Sequence, residues 1–240
     1  MAEKMILGVC TSGSRLKLAV RAGGRAFQAQ KKVFNQEREL YPLARRLLAL
    51  GGGDLRSVGT VCAVRGPGRF TGIRISLTLA GTLKALAGAE VRTVTLFEVL
   101  AWQAGALPAF SAWTRANPRG RLAVLLHAFK DEYFCQFFRP GRSAPRADGD
   151  PVWLKEPELK TLLAGAGPLY AAADAEEAPG IYSLLPEGAA RAPASVSRVA
   201  PAAIIGAALA LGRATLKPLY LKPAKYELQN NVNPLLAKGG

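Results

Sequence analysis

Apolar and polar positions alternate along the first hundred residues in a pattern that predicts short strands followed by helices. The runs MILGVC, RLKLAVR and RAFQAQKK are strand-like and are separated by the turn sequences TSGS and AGG, which predicts a three-stranded meander at 5–10, 15–21 and 25–32. Helical spacing then alternates with further strands. These elements are helices at about 36–50, 71–88 and 96–106, with strands at 59–65 and 91–95.

A second, looser round of the same pattern follows. RLAVLLHA at 121–128 and EYFCQFFR at 132–139 predict a hairpin, VWLKEP a further strand, and EPELKTLLAG a helix whose acidic first turn suits the helix dipole. A low-complexity link at 186–198 precedes an alanine-rich helix at about 200–214. The repetition predicts duplication of one α/β unit, with a first lobe at 1–97, a second lobe at 98–222 and a flexible tail at 223–240. The last helix is expected to pack back on the first lobe.

The helix at 71–88 carries two apolar stripes rather than one. At about 100° per residue, Ile73, Leu77, Ala80 and Ala87 share one stripe, while Ile75, Leu79, Leu83 and Leu86 share another. A helix that lies on its own sheet needs a single stripe. The second stripe therefore requires a covering helix or a partner protein, and we expect the stripe of Ile73, Leu77 and Ala80 to be the partner surface.

Composition places the chain among globular proteins. Half of the 240 residues are apolar and 20% are charged. The longest apolar run, at 202–212, is too short to cross a bilayer, and the run at 5–10 is too short for a signal-peptide core, so we expect a cytoplasmic protein without membrane contact. Cys10, Cys62 and Cys135 form no CxxC pair and are predicted to be reduced core residues.

Charge is concentrated in the front half of the chain. Residues 1–97 hold 16 Lys and Arg against 5 Asp and Glu, a share of +11 in a total net charge of +15. Such a field favours an acidic protein face or a polyanion such as RNA. A solvated basic surface without a specific partner is an equally good interpretation.

The turn RGPGRFTG, between the strand at 59–65 and the helix at 71–88, resembles phosphate-binding loops without matching one. A P-loop frame ending on Gly72 is followed by Ile73 instead of lysine, and a dinucleotide fingerprint starting at Gly66 meets Thr71 where the third glycine belongs. A helix N-terminus still attracts anions. A structural cap and an anion site both remain open.

The sequence GPGRFTGIRISLTLAGTLKAL resembles the signature GPGSFTGLRIGLATAKGLA of the TsaB family, formerly YeaZ. Other segments resemble that family in the same order: MILGVCTS its opening ILAIDTS, ERELYPL its HSELLLP helix, TLFEVLA its TLEALA, and PLYLKP its C-terminal PVYLRP. The similarity covers the first hundred residues well and the remainder thinly.

This resemblance implies a degenerate, two-lobed actin-like ATPase fold of the ribonuclease-H-like α/β type, with a mixed sheet flanked by helices in each lobe. It implies a non-catalytic scaffold that pairs with a TsaD-like protein. With a TsaE-like ATPase and the synthase TsaC, such a complex transfers threonylcarbamoyl to the adenosine beside the tRNA anticodon. ATP and threonylcarbamoyl-adenylate would be handled by the partner proteins, tRNA would be bound through the complex, and a homodimer of the free protein is left open.

The family's partner surface lies on the first lobe's two helices. Carried over by position, and joined with the stripe above, the partner-binding candidates are Glu39, Leu40, Pro42, Phe70, Thr71, Ile73, Arg74, Leu77 and Ala80. Around the two glycine-rich turns, the candidates for contact with an anion or nucleotide are Thr11, Ser12, Gly66, Gly68, Arg69 and Gly72.

Several positions depart from the family. Cys10 stands where the family has Asp, and a thiol is a poor ligand for Mg²⁺, so autonomous ATP hydrolysis is not expected. Gln36 replaces the family's histidine, Arg69 replaces its serine, and His127, Ala128 and Phe129 replace its DAR sequence. We therefore predict no catalytic residue, no metal site and no cofactor of the chain's own.

Other functions would need other residues. A metallopeptidase needs a ligand cluster, and His127 is the single histidine of the sequence. A serine hydrolase needs the absent G-x-S-x-G elbow. A superfamily kinase would keep the early Asp. The strongest alternative is a basic module that binds tRNA directly. The aromatic side chains of EYFCQFF could stack on bases, although this run first indicates a strand buried on both faces.

Overall fold

The computed structural model describes residues 4–222, which form two α/β lobes. The first sheet contains five strands: β1 (Met5–Cys10), β2 (Arg15–Ala22), β3 (Arg25–Lys32), β4 (Val58–Val64) and β5 (Glu90–Val94). Their order across the sheet is β3-β2-β1-β4-β5, with β1, β2 and β3 antiparallel and β4 and β5 parallel to β1. The central strands β1 and β4 are apolar on both faces because helices cover both sides of the sheet.

The second sheet repeats this arrangement with smaller edges. Its strands are β6 (Arg121–Phe129), β7 (Glu132–Arg139), β8 (Arg146–Ala147), β9 (Val152–Lys155), β10 (Leu169–Ala173) and β11 (Ala190–Arg191). β7 is antiparallel to β6, whereas β10 and β11 continue the sheet in parallel on the other side. The short β8 and β9 both pair with β7, in the position that β3 holds in the first sheet. The two lobes therefore share one strand order, as the predicted duplication requires.

Within residues 4–222, six α-helices surround the sheets. They are α1 (Gln36–Leu50), α2 (Phe70–Ala87), α3 (Leu96–Gly105), α4 (Pro108–Ala116), α5 (Glu156–Ala164) and α6 (Pro201–Leu211). α1 and α2 pack on the outer face of the first sheet, and α5 packs on the second sheet. α3 and α6 contribute to a core that joins both lobes.

α6 is apolar around its whole circumference because it is enclosed on several sides. It contacts all five strands of the first sheet and also α3. Gly206 allows the close approach to α3, since a Cβ at this position would lie 2.5 Å from the Trp102 ring. The amide of Gln103 on α3 holds the chain that leads into α6, donating to the Arg198 carbonyl and accepting from the Ala200 N–H.

The elements of the first lobe lie within one or two residues of their predicted positions. In the second lobe, α4 and β10 were not predicted. The sequence of β10, LYAAA, lacks the β-branched residues that are typical of a strand. The predicted link at 186–198 contains β11 and the buried Ala192 and Ser197, so low complexity did not mean an exposed loop here.

Three further findings bear on the sequence predictions. Cys10, Cys62 and Cys135 are buried and form no disulfide. Over residues 4–222, no helix has the length and apolar character needed to span a bilayer. The predicted flexible tail at 223–240 lies outside the described residues.

Candidate functional site

The Gly-Pro-Gly turn before α2 is held by the protein's own backbone. Gly66 and Gly68 have φ values of 122° and 149°, which L side chains rarely adopt, so both positions need glycine. The Gly66 carbonyl accepts from the Leu96 N–H at 2.8 Å, and the Arg69 N–H donates to the Ser12 carbonyl at 2.8 Å. The turn therefore joins the start of α2 to both α3 and the β1–β2 turn.

The first turn of α2 is packed against the end of β1. The Thr11 hydroxyl donates to the Gly72 carbonyl at 2.5 Å and also lies 2.5 Å from the Ser76 hydroxyl. A Cβ at Gly72 would collide with the Thr11 carbonyl, so glycine is needed for this approach. Thr11 and Gly72 are both buried in this packing, and their contact with an anion stays a prediction.

The remaining anion candidates divide between two places. Ser12, Gly68 and Arg69 line the cleft between the lobes, and the Ser12 hydroxyl lies 3.2 Å from the Cys10 thiol. Gly66 instead faces the C-terminal segment, where a Cβ would lie 2.5 Å from the Leu219 carbonyl oxygen. Among the candidates, the cleft group is the one with an open surface, and an anion contact stays a prediction.

α2 turns the stripe of Ile73, Leu77 and Ala80 toward the first sheet. Ile73 and Ala80 are fully buried and Leu77 is 8% exposed, all within the first lobe's outer core. Their assignment to a partner surface is therefore wrong, since the chain's own sheet already covers them. Leu40 of α1, also a partner candidate, is buried in the same core but reaches an open groove.

That groove runs between α1 and α2 on the outside of the first lobe and has a volume of about 1550 Å³. Six leucine and isoleucine side chains line it: Leu40, Leu55, Ile75, Leu79, Leu83 and Leu86. Leu86 is 82% exposed, and Ile75 and Leu79 are half-buried. The stripe that lacks complete cover in the described chain is therefore the one containing Ile75, Leu79 and Leu86.

The other partner candidates lie on or beside this groove. Thr71 and Arg74 line it from α2, and Pro42 lies on its α1 side. Glu39 is half-buried and forms an ion pair with Lys31 at 2.8 Å. Phe70, 52% exposed, lies at the start of α2.

The C-terminal segment at 213–222 packs beside the start of α2, a contact that the sequence did not predict. The Tyr220 ring stacks on Phe70 with centroids 4.9 Å apart, and the Arg74 guanidinium lies 3.9 Å from the Phe70 centroid. The Leu219 N–H donates to the Arg65 carbonyl at 2.7 Å. The available signal was PLYLKP, whose resemblance to PVYLRP marked a segment but not a contact.

A second concave region, the cleft between the lobes, has a volume of about 390 Å³. Cys10 lies on its wall, and burial raises the pKa of the thiol, so the sulfur stays protonated and is a poor metal ligand. His127 lies at the cleft edge, where its Nε2 is 2.8 Å from the Lys130 carbonyl oxygen. Within residues 4–222, no three His, Cys, Asp or Glu side chains are arranged to hold a metal ion.

Charged residues from both lobes meet at one end of the cleft. Lys17 of β2 is buried and donates to Glu176 at 2.7 Å, and Arg15 lies 3.2 Å from the same carboxylate. Asp174, which directly follows β10, is buried beside them, and desolvation raises its pKa to about 6 despite the opposing charge of Lys17. Sequence reasoning missed this cluster, although acidic residues directly after the apolar run LYAAA were a visible signal.

Comparison with known proteins identifies the fold. No model of a protein family matches the sequence, and no curated protein matches it. Among solved structures, YeaZ from Pseudomonas aeruginosa superposes with a TM-score of 0.69 at 22% identity, covering 91% of this chain and all of that one. The chain has the YeaZ fold. A Pseudomonas aeruginosa structure described as an uncharacterised protein with similarity to peptidase YeaZ matches equally, with a TM-score of 0.68 at 22% identity and the same coverage.

The YeaZ fold agrees with the predicted fold class, two lobes that each contain a mixed sheet flanked by helices. Its coverage includes the second lobe, where the sequence resemblance was thin. In this chain, one apolar face of the signature-like helix α2 packs on the first sheet, and the other lines the open groove.

Proposed function

We propose that this chain is a TsaB-type scaffold that binds a TsaD-like protein through the groove between α1 and α2. The observation that carries the proposal is the position of α2. This helix bears the TsaB-like signature, and its side chains Ile75, Leu79 and Leu86 lie in the open groove. Apolar side chains presented together in a groove are typical of a protein interface.

The Gly-Pro-Gly turn supports the same interpretation. In this chain the turn is bound by the backbone of Ser12 and Leu96, and the first turn of α2 is packed on Thr11. The glycines Gly66, Gly68 and Gly72 are thus explained by the need to position α2, with no phosphate required. The signature then serves partner binding by fixing the helix that forms the groove.

The role we propose is non-catalytic. Cys10 is a protonated thiol where an active superfamily member would use a carboxylate, and the described residues hold no metal-ligand cluster. ATP and threonylcarbamoyl-adenylate would be bound by the partner proteins, including a TsaE-like ATPase, and tRNA would be modified by the assembled complex in the cytoplasm. The chain would contribute the surface that stabilises its TsaD-like partner.

The test is co-expression of the full chain with the TsaD-like protein of the same organism, followed by size-exclusion chromatography with light scattering at low and moderate salt. We expect one particle with the summed mass of both chains at both salt concentrations. A chain that elutes alone at both would contradict the proposal. Salt-sensitive binding of tRNA by the isolated chain would instead favour the RNA-binding alternative.

A further inference from the structure

The groove between α1 and α2 carries an unbalanced charge. Four exposed arginines line it, Arg45, Arg46, Arg56 and Arg74. Within residues 4–222, none of them forms an ion pair. Two contact aromatic rings instead: the Arg74 guanidinium lies over Phe70 at 3.9 Å and that of Arg45 over Tyr41 at 5.8 Å. Contact with a ring does not neutralise the charge of an arginine, so all four remain cationic.

Two acidic residues of the groove, Asp54 and Glu37, offset part of this charge. The Asp54 carboxylate caps the short helical turn at 55–57, accepting from the backbone N–H groups of Arg56 and Ser57 and from the Ser57 hydroxyl. Glu37 is the other acidic residue in the lining. The groove therefore presents a net positive rim around an aliphatic strip.

The aliphatic strip favours a protein over a nucleic acid as the occupant of the groove. Ile75, Leu79 and Leu86 follow one side of α2, whose 18 residues span about 27 Å. Phosphates and sugars gain little from contact with aliphatic side chains, whereas the apolar face of an amphipathic helix buries them favourably. A helix of similar length laid between α1 and α2 would cover the strip and place its flanking residues against the arginines.

The same charges disfavour a second copy of this chain as the occupant. A two-fold dimer sets one face against itself, so each arginine-rich rim would meet an identical rim. Like charges opposed across an interface lower affinity. A partner with carboxylates beside its apolar face would instead pair with Arg45, Arg46, Arg56 and Arg74.

We infer that the groove selects an acidic amphipathic helix of another protein. This inference rests on the proposed function, because it describes the chemistry of the partner that the groove binds. The aliphatic strip supplies affinity, and the arginine rim supplies selection and a salt-dependent association rate.

The test uses two synthetic amphipathic helical peptides that share one leucine stripe and differ only in flanking residues, glutamate in one and lysine in the other. Binding to the full chain is measured by fluorescence anisotropy at low and moderate salt. We expect the glutamate peptide to bind at least about tenfold more tightly than the lysine peptide, with the difference shrinking as salt is added.

Charge-reversal variants locate the effect. The double variant Arg45→Glu with Arg46→Glu is expected to weaken binding of the glutamate peptide about tenfold. Arg115→Glu with Arg119→Glu changes the net charge equally at exposed positions that lie outside the groove lining, and it should leave the affinity unchanged. Circular dichroism of both variants checks that the fold is retained.

Each alternative outcome is distinct. Equal binding of the two peptides, or equal loss in both double variants, would overturn the inference. A wild-type dimer in light scattering that Leu86→Glu disperses would overturn it in favour of a second copy. Binding of a tRNA transcript lost in Arg45→Glu with Arg46→Glu, without binding of the glutamate peptide, would overturn it in favour of RNA.

The peptide assay does not need the TsaD-like protein, so the two proposals can fail separately. If the TsaD-like protein binds wild type and the Arg45→Glu with Arg46→Glu variant equally, the acidic-partner inference fails and the proposed function stands. If the TsaD-like protein does not bind but the glutamate peptide discriminates, the proposed function fails and the chemistry of the groove stands.

Discussion

Asp174 is a buried acidic residue whose ionisation lowers the stability of the folded state. Its carboxyl group is buried at the cleft, and burial raises its pKa to about 6 from an ordinary value of 3.8. The neighbouring Glu176 and Glu177 raise the pKa further, while Lys17 lowers it. The folded protein therefore holds the proton of Asp174 more tightly than the unfolded chain does.

The sign of the resulting pH dependence follows from linkage. The contribution of Asp174 to stability is fully present below its unfolded pKa and is lost as pH rises through about 6, because the folded state must then contain a buried carboxylate. Asp174→Asn removes this ionisation. At pH 7 we expect the variant to exceed wild type in free energy of unfolding by roughly 1–3 kcal/mol, a difference that vanishes near pH 4.

Urea unfolding of both proteins between about pH 4 and pH 8 measures this difference. Asp150→Asn, at an exposed position, serves as the control and should follow the wild-type curve. Parallel curves for wild type and Asp174→Asn across the whole range would show that Asp174 does not behave as a desolvated carboxyl group.

At the scale of the element, α2 has two apolar faces with different roles. One face packs on the first sheet through Ile73, and the other lies in the groove through Leu86. A charge on the first face must enter the core without a partner, whereas a charge on the second remains in solvent until a partner binds.

The two faces can be separated by placing one substitution on each. Ile73→Glu should cost roughly 3 kcal/mol or more of folding stability, because a carboxylate would be buried among apolar side chains. Leu86→Glu, at a position 82% exposed, should change stability by less than about 0.5 kcal/mol and should abolish pairing with the TsaD-like protein.

Thermal unfolding and co-purification of the two variants provide the measurements. A stable Ile73→Glu protein would mean that α2 is rotated relative to the described packing. Normal pairing by Leu86→Glu would exclude the last turn of α2 from the interface.

At the scale of the whole molecule, ion pairs join the two lobes at the cleft. Glu176 of the second lobe receives Lys17 and Arg15 of the first. The Ser14 hydroxyl donates to Glu177 at 2.7 Å. Lys222 of the C-terminal segment, which also contacts the first lobe through Leu219 and Tyr220, pairs with Glu132 at the start of β7. These contacts supplement the shared apolar core built from α3 and α6.

Glu176→Ala tests the contribution of this connection. Lys17 is 4% exposed, so loss of its carboxylate partner leaves a buried ammonium group, and we expect a loss of roughly 3 kcal/mol of stability. Hydrogen exchange at residues 14–17 and 173–177 should accelerate together because the two lobes separate more readily there.

Two further variants make this result specific. Glu176→Gln retains an acceptor for Lys17 and should lose less stability than Glu176→Ala. Glu90→Ala breaks an exposed pair within one lobe, Glu90 with Arg92, and should cost less than about 0.5 kcal/mol. Equal effects of Glu176→Ala and Glu90→Ala would show that the contact between the lobes adds no stability.

The sequence by itself determined the local elements and the start of α2. The meander of β1, β2 and β3 and the bounds of α1 and α2 depend on patterns within a few residues, where turn sequences and side-chain periodicity act directly. The predicted fold class of two α/β lobes agrees with the fold for the same reason, because alternating elements leave few ways to arrange a sheet.

Only the tertiary structure decided which stripe of α2 is buried and which residues meet across the cleft. Both stripes are apolar, so the choice depends on where the sheet lies relative to the helix, and Ile73 was assigned to the wrong side. Lys17 and Glu176 are 159 positions apart, and Arg74 meets Tyr220 across 146 positions. No local pattern relates such residues, because their contact arises from chain topology and from the packing of one lobe against the other.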